Sequence, residues 1–142
     1  MWQAGVSAVI WFRLQDDPLR QTPYQSGFFT AGGQAKYSLK AFRFPFVAFG
    51  TRSGVLVWGR TPRSTSDTVT VERRAGKRLI SVSRLRADRY GIFTRRLPVS
   101  ASATTTLRAR LVSGSESSIP FSLTVPPSRP TTPFGCGGGI PC

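Results

Sequence analysis

The chain has 142 residues, with 20 Lys+Arg against 6 Asp+Glu, a formal net charge of +14 and no histidine. That length holds one ordinary domain with appendages and not a whole (β/α)8 barrel, which takes roughly 250 residues. The missing histidine excludes Ser-His-Asp and Cys-His nucleophile systems, His-ligated zinc or haem and a histidine acid/base from this chain, and no cofactor is implied.

The first element is apolar on both faces. Gly5 to Leu14 is rich in β-branched and aromatic residues, the pattern of a strand buried on both sides as in a parallel sheet. The longest apolar run of the chain, Ala4 to Phe12, contains Ser7 and stops at Arg13. It is far short of the ~20 residues that cross a bilayer, and no membrane insertion is expected. It also lacks the basic flank and small-residue cleavage site of a signal peptide. A chain that enters such a strand so soon after Met1 reads as truncated, or as begun at an internal Met. From Gln15 to Gly33 turn formers dominate, among them Asp16, Asp17, Pro18, Pro23, Gly27 and Gly32-Gly33; this is a long loop. Ala35, Leu39 and Phe42 then fall at helical spacing, and Pro45 ends the short helix.

From about Phe46 the period changes to two. Val69 and Val71 alternate with Thr68, Thr70 and Glu72; Leu107, Ala109 and Leu111 alternate with Thr106, Arg108 and Arg110; Ile119, Phe121, Leu123 and Val125 alternate with Pro120, Ser122 and Thr124. Each reads as a strand with one face in a core. Gly54 to Arg60, Lys77 to Arg86 and Tyr90 to Leu97 lie between them, separated by turn signals at Thr61-Pro62, Ala75-Gly76, Ala87-Asp88 and Ser113-Gly114. Six or seven short strands at this spacing predict an Ig-like antiparallel β-sandwich, so the fold class is mainly β. Trp58, inside one of those strands, is expected in the core. From Pro126 onward Pro, Ser, Thr and Gly dominate and disorder is expected. Three segments follow: residues 1–48, the strand, loop and short helix; residues 49–126, the sandwich; and residues 127–142, the Pro/Gly-rich tail.

Few residues can carry chemistry. Asp16-Asp17 is the one adjacent carboxylate pair, but neighbours in extended chain point apart and Pro18 follows, so a turn or loop cap competes with any acid/base role. Asp67, Glu72, Asp88 and Glu116 are expected on turns and solvent faces, paired with arginine. Trp11 suits either core packing or a carbohydrate-stacking platform. Cys136 and Cys142, separated by a glycine-rich run, permit a small disulfide loop or two free thiols, and no metal site can be closed from them. Arg73-Arg74, Lys77-Arg78, Arg84, Arg86, Arg89 and Arg95-Arg96 fall in consecutive strands and turns. A basic sheet face that binds nucleic acid or acidic polysaccharide is one reading, and Arg-decorated solvent faces are the other. No nucleic-acid-binding signature accompanies the charge, so nucleic acid is expected to bind only nonspecifically.

The run Gly5 to Pro18, then Tyr24-Gln-Ser-Gly-Phe28, then Lys36 to Phe46, resembles the end of the catalytic barrel in actinobacterial, cellulase-like glycoside hydrolases. The resemblance covers about the first 48 residues and implies a last barrel strand, a loop and a final helix. It implies that Trp11 is a sugar-facing aromatic and that Asp16 and Asp17 lie in the loop after the strand, a carbohydrate-binding set within the parent barrel. The stretches Val57 to Arg60, Val69 to Arg74, Asp88 to Phe93 and Leu107 to Arg110 look like the β-sandwich that follows such barrels. The acid/base and nucleophile carboxylates of those hydrolases come from earlier strands, which this chain does not contain. The resemblance therefore implies no catalytic residue here and no enzyme in this chain alone. It implies instead an accessory module of a secreted parent, extracellular or cell-wall associated, with the rest of the barrel and polysaccharide as its partners. The alternative is a small basic β-sandwich protein that binds polyanions.

Overall fold

A computed structural model describes residues 13–21, 25–63, 65–102 and 104–123. The expected strand over Gly5 to Leu14 lies outside these except for Arg13 and Leu14, and Trp11, Cys136 and Cys142 lie outside them altogether.

Among the described residues one helix, α1 (Tyr37–Arg43), precedes seven strands. These are β1 (Phe46–Thr51), β2 (Gly54–Arg60), β3 (Thr68–Ala75), β4 (Arg78–Arg86), β5 (Ile92–Leu97), β6 (Thr106–Leu111) and β7 (Phe121–Ser122). Two antiparallel sheets result, one ordered β1-β2-β5 and the other β4-β3-β6-β7. The chain is mainly β, and β1 crosses the expected boundary at residue 48.

Alternation supplies the core. Along β2, Val55, Val57 and Gly59 are buried while Leu56 and Trp58 are only half covered. Along β6, Leu107, Ala109 and Leu111 are buried and the residues between them are not. The buried residues of both sheets form one cluster, including Phe46, Val55, Val57, Phe93 and Leu97 from the first and Val69, Val71, Leu85, Leu107 and Leu111 from the second. Side chains of opposite faces thus meet between two sheets in a sandwich-like arrangement. Each fully covered valine or leucine there is worth about 1.5–3 kcal/mol of transfer free energy.

Trp58 departs from expectation. The residues paired with it, Val47 and Thr94, share its face, which is the outer face of β1-β2-β5 and not the core. The core position of the adjacent row is Gly59, which lies between Phe46 on β1 and Phe93 on β5. The two rings stack across it with centroids 6.4 Å apart. A glycine weakens an isolated strand, and here cross-strand aromatics fill the space above it.

The turns follow the sequence signals. Gly76, at φ +60°, opens the two-residue loop joining β3 to β4, where Ala75 pairs with Arg78; this is the geometry that matches strand twist. A register shift at Val71/Glu72 sets an extra residue of β4 into the ladder, as in a β-bulge. Of the expected alternation Ile119 to Val125, Thr124 and Val125 lie outside the described residues. Pro120 offers no N–H to a ladder, and among the described residues Phe121 and Ser122 pair with β6 as β7.

The helix forms where expected, but it buries no residue. Tyr37 is 83 % exposed and Phe42 54 %, although Phe42 touches the Phe28 ring at 4.9 Å.

Candidate functional site

Two places gather charged side chains. The first is the loop before α1. Backbone bonds from Asp16 N to Phe29 O, Phe28 N to Leu14 O and Lys36 N to Phe28 O stitch three passes of chain together at 2.8–2.9 Å. At their centre the buried Asp16 accepts the Gly27 N–H on Oδ1 at 2.7 Å. Its Oδ2 accepts no aligned hydrogen bond and is held as a charge contact by Lys36 Nζ at 2.5 Å. The same ammonium donates to Gln25 O at 2.8 Å. Contact with Lys36 holds the Asp16 carboxyl below the usual aspartate value; burial pushes it up, and the Gly27 N–H adds to the lowering. A carboxylate kept ionised in this way is a poor proton donor at neutral pH.

Asp17 turns the other way and pairs with Arg13. The structure therefore does not join the two adjacent carboxylates in one acid/base pair: each has its own cation. Among the described residues no three His, Cys, Asp or Glu side chains group to hold a metal ion.

The second place is the outer face of β4-β3-β6-β7. Register sets Thr70 between Arg84 on β4 and Arg110 on β6, and the next row places Glu72 between Ser81 and Arg108. Glu72 was expected on a solvent face, yet it is only 8 % exposed. The expected arginine pairing is present in double form: Arg108 Nε donates to Glu72 Oε2 at 2.7 Å and Arg110 Nε to Oε1 at 2.9 Å. Burial pushes the Glu72 carboxyl up, but the hydrogen bonds and charges of Arg110 and Arg108 outweigh it and hold it below the usual glutamate value. Arg74, Arg84 and Arg86 share this face by register. It thus carries five arginines against one carboxylate, and none of its positions in β3, β4, β6 or β7 is aromatic.

The other carboxylates shape turns. Asp88 Oδ1 accepts the N–H groups of Tyr90 and Ile92 at 2.8 and 2.9 Å, Asp67 accepts Thr68 N and Ser113 Oγ, and Glu116 lies 3.8 Å from Arg43. An open groove of about 450 Å3 runs between α1 and the loop after β6, lined by Lys36, Lys40, Arg43 and Glu116 among others. No helix among the described residues is long and apolar enough to cross a membrane.

Comparison of the chain with protein-family models, with curated proteins and with solved structures gave no match.

Proposed function

We propose that this chain is the non-catalytic C-terminal part of a secreted, actinobacterial, glycoside-hydrolase-like protein, in which the two-sheet body is an Ig-like accessory module with weak contact to polysaccharide or cell wall. The observation that carries this reading is α1. A seven-residue helix is too short to stand on its own propensity and depends on packing an apolar side, yet this one has no fully buried residue, covers Leu39 only in part and leaves Tyr37 exposed. The remainder of a barrel is the partner that the sequence resemblance supplies. The outer face of β1-β2-β5 adds support: it carries Val47, Phe49, Leu56, Trp58 and Ile92, more apolar than a free sheet face needs.

Strand order favours the Ig-like reading. With strands lettered A to G in sequence, an immunoglobulin sandwich keeps A, B and E in one sheet and C, F and G in the other. Here β1, β2 and β5 share one sheet and β3, β6 and β7 the other. Only β4, in position D, differs by pairing with β3. On this reading Trp11 faces the sugar in the parent barrel, and Asp16 and Asp17 order the loop beside it through Lys36, Gly27 and Arg13. Cys136 and Cys142 would close a small loop in the oxidising exterior.

The test is turnover by the full chain. Purified protein incubated with soluble β-glucans should release no reducing sugar; turnover that survives repurification would contradict the reading.

A further inference from the structure

The outer face of β4-β3-β6-β7 is built rather than merely decorated. Arg108 and Arg110 are each committed to the buried Glu72 carboxylate through Nε. That geometry fixes the plane of both guanidiniums. Among the described residues the Nη groups of Arg108 have no hydrogen-bond acceptor, and those of Arg110 have only a 3.5 Å contact to Leu111 O. Two oriented forks are thereby available on one face. Arg84 stands opposite Arg110 across Thr70, two interstrand spacings or about 9.5 Å away. Holding Glu72 ionised in a buried position costs desolvation; the two arginines offset that cost and remain net positive as a group.

We infer that this face, with Arg108 and Arg110 oriented by Glu72 and with Arg84 across the strand, is a binding surface for a polyuronate, an acidic polysaccharide whose carboxylates the guanidinium forks receive. Planar forks match carboxylates in a bidentate manner, and Glu72 already occupies both guanidiniums as a carboxylate. Charge complementarity selects a polyanion. The missing aromatics argue against single-stranded nucleic acid, whose nonspecific binders stack bases on rings. The proposal gives a ligand class to the accessory module above and rests on that reading for the source of the polymer. Sugar release is not measured in its test, so the two can fail separately.

The test is binding of the full chain to polygalacturonate, followed by calorimetry or fluorescence across a salt series. The discriminating variant is Glu72→Gln, which raises the net charge by one. Undirected charge attraction predicts equal or tighter binding; an oriented site predicts binding weaker by roughly ten-fold. Arg110→Lys preserves net charge and Glu72 while removing the fork, and it should lose a similar factor. It keeps the test informative if Glu72→Gln melts too low to use. Arg52→Gln, in the exposed turn between β1 and β2, is the control and should change affinity less than about two-fold. The inference is overturned if Glu72→Gln or Arg110→Lys binds polygalacturonate as tightly as the parent chain. It is also overturned if single-stranded DNA of matched charge binds more tightly and shows the same losses.

Discussion

Replacing Gly59 by alanine tests the packing argument at its tightest point. A Cβ built on Gly59 would lie 2.3 Å from Phe93 Cζ and 2.9 Å from both Cε atoms. Phe93 is 2 % exposed and stacked against Phe46, so its ring has nowhere to swing without disturbing the core. Overpacking of this kind costs about 1–3 kcal/mol, and loss of the aromatic pair adds about 0.5–1.5 kcal/mol. Relief of the glycine entropy penalty returns about 0.5–1 kcal/mol. The net is destabilisation by about 2 kcal/mol, which for a folded body of this size lowers Tm by about 8–16 °C. Thermal and urea melts of Gly59→Ala, Phe93→Leu and the double variant supply the assay. Phe93→Leu alone should cost about 1–2 kcal/mol. Because leucine vacates the space the new methyl needs, the double variant should be at least about 1 kcal/mol more stable than the sum of the singles predicts. Additive costs, or a Gly59→Ala protein that melts with the parent chain, would refute the reasoning.

Three further outcomes are expected. Glu72→Gln should destabilise the body by about 1–2 kcal/mol, the value of charged hydrogen bonds discounted for the partial exposure of both arginines. Since the folded-state pKa of Glu72 is depressed, its contribution is present above the ordinary glutamate value and is lost as pH falls through the folded value; urea melts across the acid range should therefore show a smaller acid loss in the variant. Leu107→Ala, at a position 1 % exposed, should cost about 2–5 kcal/mol by chemical denaturation, whereas Leu79→Ala, at 42 % exposure, should cost less than about 0.5 kcal/mol. Asp16→Asn should speed hydrogen exchange at the Gly27 amide while leaving the melting of the two-sheet body unchanged; equal loss in both would mean that the loop and body unfold as one unit.

How much was legible depends on how local each signal is. Strands β3 and β6 are plain in the sequence because Val69/Val71 and Leu107/Ala109/Leu111 alternate with polar residues, so period alone names the buried face. The β2 run Val55-Leu56-Val57-Trp58 is apolar at every position, and period cannot say which side is inside. Pairing does, by placing Gly59 under Phe93 and Trp58 on the opposite face. The Glu72 site was out of reach for a different reason: its arginines lie 36 and 38 residues away along the chain, and only the β3-β6 register joins them. The general expectation of carboxylate–arginine pairing was available, but its burial and doubling were not. Asp16 gave half its account, a short acidic side chain before Pro18 in a loop, while Lys36 as its cation required the chain to fold back through Phe28 and Phe29.

The most direct measurement is the intact mass of the native protein, captured from the cells and medium of its source with an antibody raised against the two-sheet body. A non-catalytic module of a longer hydrolase-like chain predicts a mass far above 15.5 kDa, with N-terminal peptides reading as alternating strands and helices. A native species of 15.5 kDa beginning at Met1 would contradict the account.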